Sequence, residues 1–187
     1  MVNVLYIHGM GGGGDSRIPS ILKEDLAADG INVVVRTYDF DPEAAAVQIA
    51  AWVDELKPRL IMGESLGCIH AIRIKGLPHL LVSPSLNAPL YLGYLSWIAL
   101  IPGISWLFGR IYKPKEGDRQ ALNFSFSLLR KYIAHRKSAM ANTPANGSRD
   151  YFHAFIGTKD HYRRSGIVSI RSWKKNFGET CTLYEGT

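Results

Sequence analysis

The sequence contains few cysteines and no cluster of them. Only two occur among its 187 residues, Cys68 and Cys181, too few for the disulfide framework of a small secreted domain. The first residues, MVNVLYI, have no basic segment and no cleavage site of small residues, so they predict a strand and not a signal peptide. We therefore expect a reducing, cytoplasmic location.

Compact runs of basic residues interleaved with aromatic ones are also missing. The net charge of +6 divides into −3 over residues 1–100 and +9 over residues 101–187, but the positive charges are dispersed. This dispersion favours ordinary surface charge and predicts no nucleic-acid partner. An acidic substrate, phosphate or an anionic membrane surface stays open as a partner of the basic half.

The length and composition predict one domain spanning residues 1–187. Hydrophobic residues make up 47% of the chain and charged residues 20%, values that are ordinary for a globular protein with a core of its own.

Residues 86–109 contain no charged side chain and are rich in Leu, Ile, Tyr and Trp. A transmembrane span is one interpretation, but Pro102 and Gly103 break the run near its middle. Extra core is another. We favour two short helices that open an apolar lid insertion of about residues 86–140, with Trp97 and Trp106 facing the substrate and no stable membrane insertion.

Short apolar runs alternate with amphipathic segments along most of the chain, which predicts a mainly parallel sheet with helices on both faces, a three-layer α/β/α sandwich. The predicted strands cover residues 4–7, 31–37, 60–62, 79–83, 151–156 and 180–184. The predicted helices cover residues 18–29, 42–56, 68–73, 120–137 and 165–177.

The pattern GxSxG occurs at residues 63–67, between the third strand and the third helix. A serine on such a sharp turn is exposed at the carboxyl end of a sheet, and the flanking glycines let strand and helix approach. The alternative is that Ser65 only caps the helix. In the functional reading Ser65 is a nucleophile, and the Leu66 amide stabilises negative charge on a reacting oxygen.

A glycine-rich loop, HGMGGGG, follows the first strand at residues 8–14. It permits two functional readings. The loop lacks the Lys-Ser/Thr ending of a P-loop, although Asp39 stands near the place of the acidic residue in a dinucleotide site. Alternatively, the Met10 amide is the second donor of an oxyanion hole, with His8 and Gly9 beside the substrate. A flexible loop without chemistry also remains open.

In order, the chain has a strand, the HG loop (the glycine-rich loop at residues 8–14), the elbow turn that carries Ser65, the insertion, and a late strand followed by an acid. This order resembles the α/β-hydrolase superfamily over nearly the whole chain. The resemblance implies that Ser65 is the nucleophile and Asp160 the acid that orients a catalytic histidine. It implies an oxyanion hole formed by the amides of Met10 and Leu66. Together with Glu64, next to the nucleophile, these residues predict hydrolysis of small apolar carboxylic esters without a metal or organic cofactor. They do not predict an oligomeric state.

The resemblance also implies a histidine after the last strand, where residues 185–187 contain none. Six histidines occur earlier, at positions 8, 70, 79, 135, 153 and 161. We expect the catalytic one just after residue 187, with His161 as the best substitute base and His135 as a weaker one. The remaining alternative is a catalytically silent protein that binds a ligand in the same pocket.

Overall fold

The computed structural model describes residues 1–112 and 116–186. Within them, six strands form one sheet: β1 (Val2–Ile7), β2 (Ile31–Val35), β3 (Leu60–Glu64), β4 (His79–Val82), β5 (Phe152–Gly157) and β6 (Cys181–Tyr184). The strand order is β2-β1-β3-β4-β5-β6, and every neighbouring pair is parallel. The predicted parallel α/β fold is confirmed.

Seven α-helices connect these strands in the described part of the chain. They are α1 (Arg17–Ala27), α2 (Pro42–Leu56), α3 (Gly67–Ile72), α4 (Ala88–Ile98), α5 (Ile104–Ile111), α6 (Phe126–Met140) and α7 (Ile170–Phe177). Two single 3₁₀ turns, Pro144–Asn146 and His161–Arg163, precede and follow β5.

The start of α6 differs from the prediction. A helix was expected from residue 120, but α6 begins at Phe126. Gln120 is instead held by the glycine-rich loop: its backbone N–H donates to the Gly12 carbonyl, and its side-chain oxygen accepts from the Gly11 amide. These long-range bonds keep the segment before α6 extended.

The sheet is covered differently on its two faces. Successive residues of a strand point to opposite faces, so Leu5 lies in the larger core with Ile61 and Leu81, whereas Val4 and Tyr6 pack against α1. From β1 the chain steps outward to β2 and then returns past β1 to β3. Right-handed crossovers in opposite directions place α1 on one face and α2 and α3 on the other.

The same reversal of direction creates a crevice at the carboxyl ends of β1 and β3. Their pairing places Ile7 next to Gly63, so the loop after β1 and the turn after β3 begin at the same level. Ligands bind at such a crevice in open α/β sheets. The two sequence motifs, HG loop and GxSxG, therefore meet at one edge of the sheet.

Between β4 and β5 the chain forms the α4–α5 hairpin, residues 88–111, which packs on α6 mainly through α4. Among the described residues, no helix has the length and apolar character needed to cross a bilayer.

Candidate active site

Ser65 lies on a strained turn between β3 and α3. Its φ is +50°, in the left-handed region that residues with side chains rarely adopt. A Cβ at Gly67 would lie 2.3 Å from the His8 carbonyl oxygen, and one at Gly63 would lie 3.0 Å from the Cα of Cys68. Both glycines of the motif are therefore required by close backbone approach.

The HG loop lies directly against Ser65. A Cβ at Gly9 would be only 3.2 Å from the Cβ of Ser65, so the loop backbone passes beside the serine. His8 is fully buried behind it, with its Nδ1 2.7 Å from the Gly9 carbonyl oxygen. The Tyr38 hydroxyl donates to the His8 carbonyl at 2.6 Å. His8 thus shapes the loop from behind and does not line the cavity.

A cavity of about 460 Å³ opens above Ser65. The predicted site residues that line it are Gly9, Met10, Glu64, Ser65, Leu66, Asp160 and His161. Trp97 and Trp106 are absent from its lining, and both are strongly exposed on the α4–α5 hairpin. Only the start of α4 borders the cavity, through Ala88, Tyr91 and Leu92.

The hydroxyl of Ser65 has a second hydroxyl as its partner. The Oγ atoms of Ser65 and Ser85 are 3.1 Å apart, and the Ser85 Oγ is also 3.4 Å from the Ser83 carbonyl. Ser85 is buried, and its backbone N–H donates to the Ser65 carbonyl at 3.2 Å. Ser85 was not predicted from the sequence, where its one signal was the position of Ser83-Pro84-Ser85 directly after β4.

Two backbone amides are available beside Ser65. Within residues 1–112 and 116–186, neither the Met10 amide nor the Leu66 amide donates to a protein acceptor. Leu66 is the N-cap of α3, and helix N-termini carry partial positive charge. Free donors at this position are what an oxyanion needs.

Asp160 follows β5 at the same edge of the sheet and is 7% exposed. One carboxylate oxygen, Oδ1, accepts from the Tyr162 amide at 2.8 Å and so caps the turn His161–Arg163. Asp160 also lines the cavity, and within the described residues its second carboxylate oxygen accepts no hydrogen bond. The structure thus brings the predicted acid and the predicted nucleophile to one cavity.

No histidine of the described chain forms a hydrogen bond with either Ser65 or Asp160. His161 lines the cavity, but it is exposed and its ring packs on Tyr162, with centroids 4.1 Å apart. His79 lies 3.1 Å from the Ala71 carbonyl, and His153 lies 2.9 Å from the Thr182 hydroxyl, both away from the cavity.

His135, the weaker predicted substitute, belongs to a buried chain of polar side chains. Arg73 Nη1 donates to His135 Nδ1 at 2.9 Å, and His135 Nε2 lies 3.0 Å from His70 Nδ1. Since Arg73 can only donate, His135 carries its proton on Nε2 and donates it to His70. Burial, with Arg73 adding to it, lowers the pKa of His135 to about 3. Burial likewise holds the pKa of His70 well below its usual range.

Glu64 lines the cavity next to Ser65, and its carboxylate accepts from the Tyr6 hydroxyl at 2.6 Å. Burial and the neighbouring Glu64 charge raise the pKa of Tyr6. The tyrosine therefore remains a donor and holds the carboxylate in place.

The glycine-rich loop has few amides left for a phosphate. Gly11, Gly13 and Gly14 donate their N–H groups to Gln120, Ser16 and Thr37, respectively. The Gly12 amide donates to the Gly9 carbonyl. A phosphate cradle requires such amides to point at the ligand, so this arrangement argues against nucleotide binding by the loop.

Neither cysteine has a role in the cavity. Cys68 is a buried, unpaired residue of α3, and burial raises the pKa of its thiol well above the usual value. Over the described ranges, no group of three or more His, Cys, Asp or Glu side chains is arranged to hold a metal ion.

Solved structures of several enzymes superpose on the whole chain. A structure reported for LipS and LipT, two metagenome-derived lipolytic enzymes, matches 100% of this chain and 83% of its own, with TM-score 0.64 and 15% identity. Est1E from Butyrivibrio proteoclasticus, solved with ferulic acid, matches 100% and 79%, with TM-score 0.62 and 16% identity. The chain has the α/β-hydrolase fold.

A soluble variant of monoglyceride lipase from Saccharomyces cerevisiae, in complex with a substrate analogue, shares the α/β-hydrolase fold. The match covers 99% of this chain and 77% of the lipase, with TM-score 0.62 and 11% identity. No protein-family model and no curated protein sequence matches the chain. At these identities the likeness establishes the fold, and the chemistry must be argued from the residues of the cavity.

Proposed function

We propose that this α/β-hydrolase-fold protein is a serine hydrolase that cleaves carboxylic esters through an acyl-enzyme on Ser65. The proposal rests on one observation: Ser65 and Asp160 border the same cavity as Met10 and Leu66, whose amides have no acceptor within the described residues. A nucleophile, an oxyanion site and an acid are three of the four parts that this chemistry needs.

In this proposal the Ser65 Oγ attacks the acyl carbon of the ester. The carbonyl oxygen becomes an oxyanion that accepts hydrogen bonds from the Met10 and Leu66 amides. Collapse of the tetrahedral intermediate expels the alkoxide, which takes up the proton that Ser65 lost and leaves as the alcohol. Water then hydrolyses the acyl group on Ser65, which releases the carboxylic acid and restores the hydroxyl. The strained φ of Ser65 keeps the hydroxyl at the cavity surface.

The proton acceptor is the fourth part, and His161 is the histidine of the described chain that borders the cavity. We assign it as the base, in the loop that also carries Asp160. Its exposed ring packs on Tyr162, which is also exposed, so the core does not hold it in place.

The apolar lining of the cavity favours an apolar acyl or alcohol group. Besides the polar site residues, the lining includes Ile18, Val82, Leu92 and Ile167. One structural neighbour is described as lipolytic, a second is a monoglyceride lipase, and Est1E was solved with bound ferulic acid. Together these support a small-molecule ester as the substrate class.

A binding protein without catalysis is the second candidate, and one observation favours it. The Ser65 hydroxyl is paired with the Ser85 hydroxyl and not with an imidazole. A serine hydroxyl is a weak nucleophile until a base accepts its proton. The same cavity would then hold an apolar ligand without breaking it down.

Labelling with a fluorophosphonate probe distinguishes the two candidates. The hydrolase is expected to form an adduct at Ser65 and to hydrolyse p-nitrophenyl esters. Ser65→Ala should abolish both, with hydrolysis falling by roughly three or more powers of ten. Ser138→Ala, at an exposed position of α6, is the matched control and should behave like the parent protein. Absence of adduct and turnover in the parent protein would support the binding protein.

A further inference from the structure

The α4–α5 hairpin has exposed apolar residues along both of its helices. Among them, the aromatic residues Tyr94, Trp97 and Trp106 expose 75%, 57% and 67% of their surface. The exposed aliphatic residues include Ile98, Leu100, Ile101, Leu107 and Ile111. Apolar patches of this extent on a protein surface mark sites of interaction.

The exposure does not come from a loosely packed hairpin. Leu92, Leu95 and Ala99 of the inner face pack into the main core, and a Cβ at Gly93 would lie 2.5 Å from Ile133 of α6. In α5, the ring of Phe108 packs against Phe124 with centroids 5.6 Å apart. The hairpin thus has an inner face packed on the core and a largely exposed outer face, on which Trp97 contacts Phe126 of α6 with ring centroids 5.3 Å apart.

Arginines stand beside the two exposed tryptophans. The guanidinium of Arg110 lies 5.5 Å from the Trp106 ring centroid, and that of Arg130 lies 5.6 Å from the Trp97 centroid. In the described chain, neither arginine forms an ion pair with a carboxylate. The apolar surface therefore has uncompensated positive charge at its margin.

We propose that the outer face of the α4–α5 hairpin docks on an anionic lipid surface. Tryptophan and tyrosine favour the boundary between lipid headgroups and acyl chains, and arginine next to them pairs with anionic headgroups. The tip at Leu100 and Ile101 enters the acyl region. This binding is peripheral: the 11 residues of α4 extend about 16 Å, against about 30 Å for the hydrocarbon core of a bilayer.

Charge argues against a second copy of the chain as the occupant. Residues 86–112 contain Arg110 and no Asp or Glu, and α6 contains four basic residues, Arg130, Lys131, Arg136 and Lys137, again with no acid. A two-fold contact would bring this patch against itself and place positive charge against positive charge without a carboxylate in the patch. A lipid surface supplies the missing negative charge.

Vesicle flotation with the full chain tests the proposal without any need for catalysis, so its outcome is independent of the proposed hydrolase. The probes are vesicles of phosphatidylcholine alone and of phosphatidylcholine mixed with phosphatidylserine. We expect binding to the mixed vesicles, much less to the neutral ones, and release by salt. Tryptophan emission should shift to the blue on binding.

Two variants and two matched controls locate the surface. Trp106→Ser should weaken vesicle binding roughly tenfold through lost apolar contact, and Arg110→Gln about fivefold through lost charge. Val47→Ser changes an equally exposed apolar residue of α2, and Lys175→Gln an exposed cation of α7. Both controls should bind like the parent, and circular dichroism checks that all four variants fold.

Three results would overturn the proposal. The first is absence of binding to anionic vesicles by the folded parent protein. The second is an equal loss of vesicle binding in the controls and in the hairpin variants, since binding could then not be assigned to this surface. The third is a dimer in light scattering that Trp106→Ser disperses, since the surface would then be occupied by a second copy.

Discussion

The hydroxyl groups of Ser65 and Ser85 lie 3.1 Å apart, although 20 residues separate them in the chain. Ser85 reaches this position because the backbone turns sharply at Ser83, whose φ is +45°. The contact gives the proposed nucleophile a buried neighbour that can both donate and accept a hydrogen bond. The effect of Ser85 on the reactivity of Ser65 depends on whether Ser65 still carries its proton.

Ser85→Ala is expected to slow the acylation of Ser65 about fivefold. Once Ser65 gives up its proton, Ser85 can only donate to it, and a hydrogen bond of this kind contributes about 1 kcal/mol. The rate of fluorophosphonate labelling measures the effect without dependence on deacylation. Ser85→Thr keeps the hydroxyl and should retain most of the rate. Labelling of Ser85→Ala at the parent rate would show that the contact has no part in activation.

Asp160→Asn separates a catalytic role of this carboxylate from a structural one. Asparagine can still accept from the Tyr162 amide, so the free energy of unfolding should change little. Loss of the negative charge should lower kcat for ester hydrolysis by about 10³-fold or more, by analogy with serine proteases.

The matched control for Asp160→Asn is Asp150→Asn. The Asp150 carboxylate accepts from the Gly76 amide, and Asp150 does not line the cavity. This variant should keep the parent's kcat. An unchanged kcat in Asp160→Asn would instead mean that Asp160 only caps the turn that follows it.

Gly67→Ala should destabilise the fold strongly. Its Cβ would lie 2.3 Å from the His8 carbonyl and 2.4 Å from that of Ile7, and both contacts are with backbone of the central strand region. We expect a loss of about 3 kcal/mol or more in the free energy of unfolding, measured by urea denaturation.

Gly109→Ala is the opposite case. Gly109 is a helical residue of α5 with open space at its Cβ position. Alanine there should be neutral or stabilise by up to about 1 kcal/mol, because it has a higher helix propensity. Equal destabilisation by both substitutions would contradict the steric account of the GxSxG turn.

Stability should fall as the pH is lowered below about 6.5. The folded state keeps His70 and His135 neutral, since burial lowers the pKa of both, whereas the unfolded chain binds their protons near pH 6.5. For His135, whose folded pKa is about 3, the unfolded state therefore binds more protons between pH 6.5 and about 3, and His70 acts in the same direction. The free energy of unfolding decreases through that window, by up to about 1.4 kcal/mol per pH unit for each histidine.

His135→Gln tests the contribution of one of these histidines. Glutamine can accept from Arg73, and it has no proton to gain in the unfolded state. Urea denaturation at pH values from about 7.5 to about 4.5 covers the range in which histidine titrates. The free energy of unfolding should depend less steeply on pH in this variant than in the parent protein. An unchanged slope would mean that His135 does not contribute to the acid sensitivity.

Some elements follow from local signals and were predicted accordingly. Helix α2 runs from Pro42 to Leu56 as expected, because Asp41 caps its start by accepting from the Glu43 amide, and Lys57 ends it in a left-handed conformation before Pro58. The same holds for β3, whose apolar run precedes the elbow. Signals of this kind act over a few residues, within the reach of the sequence pattern.

Other features depend on contacts between residues that are distant in the chain, so they were not predicted from the sequence. Gln120 is held by the glycine-rich loop, so α6 starts later than its helical pattern suggests. Trp97 and Trp106 were placed beside the substrate, but the hairpin turns them outward. Their apolar character indicated burial of some kind, and only the packing of Leu92 and Phe108 shows which side of each helix faces the core.

By itself, the sequence determined the alternation of strands and helices and the strained serine turn. Periodicity, caps and the sterics of Gly63 and Gly67 act locally and leave few alternatives. Only the tertiary structure decided that Ser65, Ser85 and Asp160 share one cavity and that the six histidines lie where they do. These positions depend on strand order and register, which bring residues far apart in the chain to the same edge of the sheet.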